Sequence, residues 1–357
     1  MNPNEQKLTY PWGEAVPEPG RALTVGDGVR WIRLPLPFAL DHINVWLLRD
    51  EIDGRQGWTV VDTGVARDNV KALWEQVFET ALDGLPVLRV LVTHMHPDHV
   101  GLAQWLCERW NAPLWITMTE FMTARLWSRA PLQSQVEGGA GGEMALAHFV
   151  RHGLSDPQAI QEIGKRGSYY PSLVPDAPAS FRRIMDGDEI AIGGRVWRVI
   201  VGYGHSPEHA ALYCDTLQML ISGDMVLPRI STNVSVFSFE PEANPLPLYL
   251  QSLKRFDGLP EDTVVLPSHG RPFKGLHERI AQQHAHHAER LDEVMAACRT
   301  PRSANDIVPI MFHRKLDTHQ ITFAIGEALA HLHALYYQGK LKRELGGDGI
   351  FRFSLAG

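Results

Sequence analysis

The sequence predicts an α/β fold with a small helical module at its C-terminal end, and three observations predict it. Short apolar runs that end in polar turns alternate with amphipathic stretches, the pattern of layered strands and helices. Histidines and aspartates recur where those runs end. Beyond residue 300 the rhythm gives way to two helical stretches and a glycine-centred hairpin.

Taken in order, Val29–Pro35 and residues 44–49 and 58–62 read as strands separated by turns containing Asp and Gly. Val70, Leu73, Trp74, Val77 and Phe78 then recur at helical spacing. The run LPVLRVLVTH has the pattern of a buried strand that ends in polar residues. Residues 97–110 read as a helix, with Pro97 near its start and Asp98 in its first turn. Residues 118–180 break the alternation. They hold an aromatic- and Met-rich helical stretch over 118–127, a glycine cluster over 138–142, a further helical stretch and the segment GSYYPSLVPDAP. A long irregular insertion of this kind suits an active-site cover better than core.

Strands resume in RVWRVIVGYGH, AALYCD, QMLISGD and TVVLPSHG, and a long helix covers 276–298. The break at Thr300 to Arg302 divides the chain into a large domain over 1–299 and a second domain over 300–357. Ser303 is placed to cap a helix containing Ile307, Ile310 and Met311. Ile321, Ile325, Ala328, Leu329, Leu332, Leu335 and Tyr336 stripe the next helix, which ends at Gly339. LKRELGGDGIFRFSL reads as a hairpin, so 300–357 is expected to form a winged-helix-like module.

With 357 residues, 44% hydrophobic and 21% charged, the composition is that of a globular protein able to bury its core without disulfides. The three cysteines, Cys107, Cys214 and Cys298, are far apart and form no CxxC pair. That excludes a disulfide framework and a cysteine zinc site, and it fits a reducing compartment. No basic cluster precedes an apolar run at the start, and no stretch nears the ~18 apolar residues that span a bilayer, so a cytoplasmic protein is expected. The net charge of −7 disfavours bulk attraction to nucleic acid, though a local basic groove stays open. The 17 histidines stand out, because histidine is the commonest metal ligand.

The decisive run is THMHPDHVG, which places His94, His96, Asp98 and His99 within six residues. His94 and His96 alternate, so both can point to one side of an extended segment. Asp98 and His99 turn away at the helix start, toward a second ion. Imidazole and carboxylate suit Zn²⁺, and also Mn²⁺ or Fe. A solvated polar turn is the plain alternative, but so dense a cluster at a strand end lies where α/β sites form. His205, Asp224 and His269 each follow a strand and adjoin a glycine, where backbone can crowd a site.

Asp62 in VVDTG, the THMHPDH run, His205 in GHSPEH, Asp224 in SGD and His269 in PSHG, in that order, make the chain resemble the metallo-β-lactamase superfamily. The resemblance implies a four-layer αββα sandwich with the site at one edge of its sheets. It implies that His94, His96 and His205 hold one divalent ion and Asp98, His99 and His269 another, most naturally zinc, with Asp224 bridging. Asp62 would orient ligands without binding metal. GDMVLPRISTNVSV, PSHGRPFKGL and FAIGEALAHL resemble members with a C-terminal winged-helix module, often described as glyoxalase II-like hydrolases; one mammalian relative is described as an endoribonuclease. Two ions ~3.5–4 Å apart lower the pKa of a shared water from ~15.7 toward ~7. The implied reaction is cleavage of a small-molecule ester, thioester or lactone by hydroxide, with Asp98 orienting the water and shuttling its proton. Asp224 stands where many di-zinc β-lactamases carry Cys, which points away from antibiotic hydrolysis.

Weaker candidates surround this set. Tyr169, Tyr170 and His209 are expected at a substrate pocket, with packing as the alternative, and Glu208 and Asn44 are placed to support the site. Phe121, Met122, Trp127 and Cys107 read as packing residues. His284, His286 and His287 read as a solvated helix face, and His331 and His333 as structural. A nuclease is the second reading, since the same ions cleave phosphodiesters and a winged helix can contact nucleic acid. However, residues 301–357 hold only seven Lys/Arg against five Asp/Glu, too slight an excess for strong phosphate binding. Packing against the catalytic domain or a second subunit of a homodimer is expected of the module instead. A non-catalytic winged-helix regulator and an iron-dependent oxidation fit less well, because the ligand set is complete and no flavin domain accompanies it.

Overall fold

The computed structural model describes residues 5–129, 142–164 and 169–357, and in it two sheets pack face to face with helices on both outer sides. The first sheet takes its seven strands in chain order: β1 (Leu23–Gly26), β2 (Val29–Pro35), β3 (His42–Ile52), β4 (Arg55–Val61), β5 (Val87–Leu91), β6 (Leu114–Ile116) and β7 (Arg182–Arg183). β1 to β4 are antiparallel, and β4 to β7 are parallel. The second sheet contains β8 (Glu189–Ile192), β9 (Arg195–Gly202), β10 (His209–Cys214), β11 (Met219–Gly223) and β12 (Val264–Pro267), in the order β12-β11-β10-β9-β8. β9 and β11 each run antiparallel to β10, and β12 runs parallel to β11. β9, β11 and β12 therefore end at the same edge.

The period-two alternation of these strands builds the layers. In β2 and β3, Trp31, Trp46 and Leu48 face the other sheet, while Ile32, Leu34, Ile43, Val45 and Leu47 face the helices. In β9, Trp197, Val199 and Val201 meet them from the second sheet, and Ile200 turns outward. Trp31, Trp46 and Trp197 are fully buried between the sheets. Each such ring buries ~150–250 Å², or ~4–6 kcal/mol of transfer free energy.

One outer layer holds α1 (Asp68–Ala81), α2 (Pro97–Val100), α3 (Ala103–Trp110) and α4 (Met118–Ser128). α1 buries the predicted Val70, Trp74, Val77 and Phe78, with Leu73 half-buried. The helix expected over 97–110 is broken between α2 and α3. There the Leu102 N–H donates to the Gly64 carbonyl and to Thr63 Oγ1 instead of closing a helical turn. The insertion spans both outer layers. α4 and α7 (Tyr169–Leu173) pack on the first sheet's helical side; α5 (Gly142–Arg151) and α6 (Pro157–Gly164) lie with the other, through Ala159 and Ile163. The first four residues of the predicted glycine cluster, 138–141, lie outside the described residues.

The second outer layer contains α8 (Pro245–Leu253), α9 (Leu276–Ala297), α10 (Ala304–Met311) and α11 (Thr318–Tyr337). Ser303 caps α10 through a reciprocal pair with Asp306, and Asp317 caps α11 the same way with Gln320. β13 (Leu341–Leu345) and β14 (Phe351–Leu355) close the chain as an antiparallel hairpin. Ile307, Ile325, Leu329 and Leu332 share one apolar cluster with Ile200, Leu220 and Val265 of the second sheet, so the C-terminal elements pack directly on the sandwich. His287, expected on a solvated face, is fully buried and meets His331 at 3.2 Å; the reading of that helix face is corrected. No helix among the described residues is long and apolar enough to cross a membrane.

Candidate metal centre

Every candidate ligand sits just beyond a strand. His94, His96, Asp98 and His99 follow β5; His205, Asp224 and His269 follow β9, β11 and β12. The fold brings them into two adjoining clusters. His94, His96, His205 and Asp224 form one, and Asp98, His99 and His269 the other, with the donor atoms of each within 4.8 Å of one another.

In the first cluster His94 Nε2 lies 2.9 Å from His96 Nδ1 and 3.2 Å from His205 Nε2. Asp224 Oδ2 stands 3.4 Å from His205 Nε2. In the second, His269 Nε2 is 3.4 Å from both Asp98 Oδ2 and Asp224 Oδ1, and His99 Nε2 is 3.6 Å from the same two oxygens. Ligand atoms bound ~2.0–2.2 Å from a tetrahedral zinc lie ~3.3–3.6 Å apart. Asp224 gives one oxygen to each cluster.

The remote ring nitrogens fix which atoms face inward. His205 Nδ1 donates to the Asn233 carbonyl at 2.7 Å, and His269 Nδ1 to the His42 carbonyl at 2.8 Å. His99 Nδ1 donates to Asp62 Oδ2 at 2.8 Å. Asp62 also accepts from the Thr93 N–H and hydroxyl, and Thr93 Oγ1 lies 3.0 Å from His94 Nδ1. The Nε2 atom of each of these rings is thereby turned toward its cluster. The lone pairs of His94 Nε2 and His205 Nε2 face each other at 3.2 Å and repel unless a cation lies between them. His99 Nε2 and Asp224 Oδ1 are buried without a hydrogen-bond partner. These donors fit a pair of divalent ions.

The electrostatics divide along the same line. Burial and the neighbouring imidazoles hold His94 well below its ordinary value, and burial with His205 beside it takes His96 to about 3, so both are neutral donors. Burial opposes charge on Asp98 as well, but His99 and His269 outweigh it and hold the carboxyl at about 2. Burial would lower His269, yet Asp224 and Asp98 push it up to about 10. The carboxylates thus favour positive charge at the second cluster, where His99 is raised as well.

Asp62 lies behind the ligands, in the left-handed region at φ 63°, held by Thr93 and His99. Asparagine and aspartate tolerate that region better than other side chains. His209 is a correction. Expected at a pocket wall, it is fully buried beneath Asp224, whose N–H donates to His209 Nε2 at 3.0 Å. The preceding Gly223 has φ 55°, and a Cβ there would fall 2.2 Å from that nitrogen, so only glycine fits. Tyr170 ties the insertion to the ligand turn, donating to the Met95 carbonyl at 2.6 Å, and packs edge-on against Trp127. Tyr169 lies near Phe38, one step further out. Asn44 anchors the His269 turn by donating to the carbonyls of Pro267 and Gly270.

Glu120 escaped the sequence reading. Fully buried on α4, it accepts from the Met95 N–H at 2.8 Å, from Ser206 Oγ at 2.7 Å and from the Glu208 N–H at 2.6 Å. One carboxylate so ties the turn bearing His94 and His96 to the loop bearing His205. Glu208 returns the favour to α4, accepting from the Thr119 N–H. The available signal was a lone acid on the helix face that also carries Phe121 and Ala124.

Compared with known families, residues 39–269 match the metallo-β-lactamase superfamily. The chain belongs to the metallo-β-lactamase superfamily. Residues 291–356 match the metallo-β-lactamase-like C-terminal domain that accompanies it. The chain is 55% identical to a β-lactamase domain protein from Burkholderia ambifaria of known crystal structure, over 99% of this chain and all of the other, with a TM-score of 0.92. A metallo-β-lactamase family protein from Thermus thermophilus is 28% identical over 92% of this chain and 98% of its own, with a TM-score of 0.73. A probable metallo-hydrolase of Bacillus subtilis, YqjP, is 24% identical over 90% of this chain and 96% of its own. Superfamily and site together make this metallo-β-lactamase-fold chain a metal-dependent hydrolase.

Proposed function

We propose that the chain hydrolyses an ester, thioester or lactone of a small molecule, in the manner of glyoxalase II-like enzymes, at a dinuclear centre held by the seven ligands above. The observation that carries this reading is Asp224, whose two oxygens serve two clusters at once. Zinc suits the donors first, and manganese or iron fit them too. Two divalent ions bound there would supply Lewis acidity toward a carbonyl oxygen and acidify a shared water. With the ions bound, Asp98 would be placed to orient that water and to pass its proton toward the leaving group.

The C-terminal charges favour a small substrate over nucleic acid. Lys342 pairs with Glu344, Arg343 with Glu242 and Arg352 with Asp348, so the hairpin's cations are already engaged. The order of α10, α11 and the β13–β14 hairpin supports reading residues 300–357 as a winged-helix module that packs on the catalytic domain. The free cysteines suit a reducing, cytoplasmic setting. The test is a hydrolysis screen of protein loaded separately with Zn²⁺, Mn²⁺ or Fe²⁺, across thioesters, lactones, phosphodiesters and RNA. Turnover of a thioester or lactone without RNA affinity is expected; salt-sensitive RNA cleavage would establish a nuclease instead.

A further inference from the structure

The FAIGEALAHL run belongs to no ligand, yet it lies against the ligands' supports. Gly326 sits inside α11, where glycine is an unfavourable helix residue. A Cβ at Gly326 would lie 2.8 Å from Ser235 Oγ and 2.9 Å from Ser235 Cβ. The Val236 N–H donates to the Gly326 carbonyl at 3.1 Å. Glycine thus lets residues 232–236 lie directly on the helix.

That segment supports two ligands. The Asn233 carbonyl accepts from His205 Nδ1 at 2.7 Å, and Thr232 Oγ1 donates to the Asp224 carbonyl at 2.5 Å. The Asn233 side chain is itself held at both ends. Its Oδ1 accepts from Ser235 Oγ at 2.7 Å, and its Nδ2 donates to Glu327 Oε2 at 3.1 Å. Glu327 follows Gly326 on α11 and is buried. An apolar residue of equal size would pack there without the desolvation of a carboxyl, so packing alone does not account for an acid.

We infer that Glu327 is a positioning residue of the metal centre: by holding the Asn233 side chain it fixes the Asn233 carbonyl that orients His205. The C-terminal helix is on this account a built-in part of the site. This inference rests on the metal-centre reading above.

Cobalt(II) titration of the full chain tests it, with affinity and visible absorption as readouts and with His205→Ala identifying the binding step at the three-histidine cluster. Removing the acceptor in Glu327→Met, or its donor in Asn233→Ala, should weaken that step by ~10–100-fold and change its absorption. Glu327→Gln keeps an acceptor for Asn233 Nδ2 and should stay within about threefold of wild type, well inside that range. Leu329→Ala, a core truncation on the same helix, should lower the melting temperature and leave cobalt binding alone. Wild-type binding by Glu327→Met, an equal loss in Leu329→Ala, or an equal loss in Glu327→Gln would each overturn the assignment. If Glu327→Met does not fold, Asn233→Ala decides in the same two directions. A wild-type chain that binds fewer than two cobalt ions would bring down the metal-centre reading itself; two ions in wild type and unaffected variants would sink only the role of Glu327.

Discussion

Asp224 stands 3.4 Å from a donor nitrogen of each cluster, and its backbone is held on both sides, by His209 at the N–H and Thr232 at the carbonyl. Asp224→Asn keeps the shape and removes the charge. We expect it to bind fewer than two ions per chain by elemental analysis, and to lose more activity than the ~10–100-fold typical of changes behind the ligands. Glu120 makes a different demand. It accepts three hydrogen bonds from two loops and donates none. Glu120→Gln would turn an N–H toward another N–H, so urea unfolding should show a loss of about 1–3 kcal/mol, the cost of a buried donor left unpaired. At this scale the seven candidate ligands could be read from the sequence, because His94, His96, Asp98 and His99 crowd one turn after an apolar run, and His205, Asp224 and His269 each adjoin a glycine where such a run ends. Glu120 and Asn233 could not, since their importance lies in partners such as Met95, Glu208, His205 and Glu327, 25 to 94 positions away, that only the fold brings together. His209 misled for the same reason: adjacency to His205 in sequence places it under the site, not in its mouth.

Among the elements, the strongly periodic ones were legible. β2 begins and ends at the predicted residues, and the Ser303 cap forms as the sequence suggests. The short β1, β7 and β8 carry too few alternating residues to declare themselves, and α2 and α3 are parted by a hydrogen bond to a distant loop. Two predictions belong to this scale. Ser303→Ala removes the side-chain cap of α10 and should cost about 1 kcal/mol in thermal unfolding, with metal content unchanged. Gly326→Ala would ordinarily stabilise a helix by about 1 kcal/mol. Here the new methyl meets Ser235 at 2.8–2.9 Å, so the melting temperature should fall; a rise would show that residues 232–236 do not press on α11.

For the molecule as a whole, the α/β sandwich was legible because its central strands are buried on both faces and so read as short apolar runs between polar turns. The way the last helices merge into the sandwich's outer layer was not, since an apolar stripe does not name the surface it covers. That merged layer predicts acid sensitivity. Burial holds His148 at about 4, His152 at about 3, His287 at about 2 and His331 at about 4. Above pH ~6.5 these rings are neutral in both folded and unfolded chains. Below it the unfolded chain takes up protons that the folded chain refuses until the pH nears those lower values. Stability should therefore fall with pH, by up to ~1.4 kcal/mol per unit for each histidine, and urea midpoints at pH 7 and pH 5 will show it.

The chemistry of this site requires a pair of cations held where two sheets end. Anomalous diffraction from crystals of the zinc-loaded chain measures this directly. Two peaks ~3.5–4 Å apart are expected, one among His94, His96 and His205 and the other among Asp98, His99 and His269, with Asp224 touching both. A single peak at full loading, or zinc bound away from these seven side chains, would contradict it.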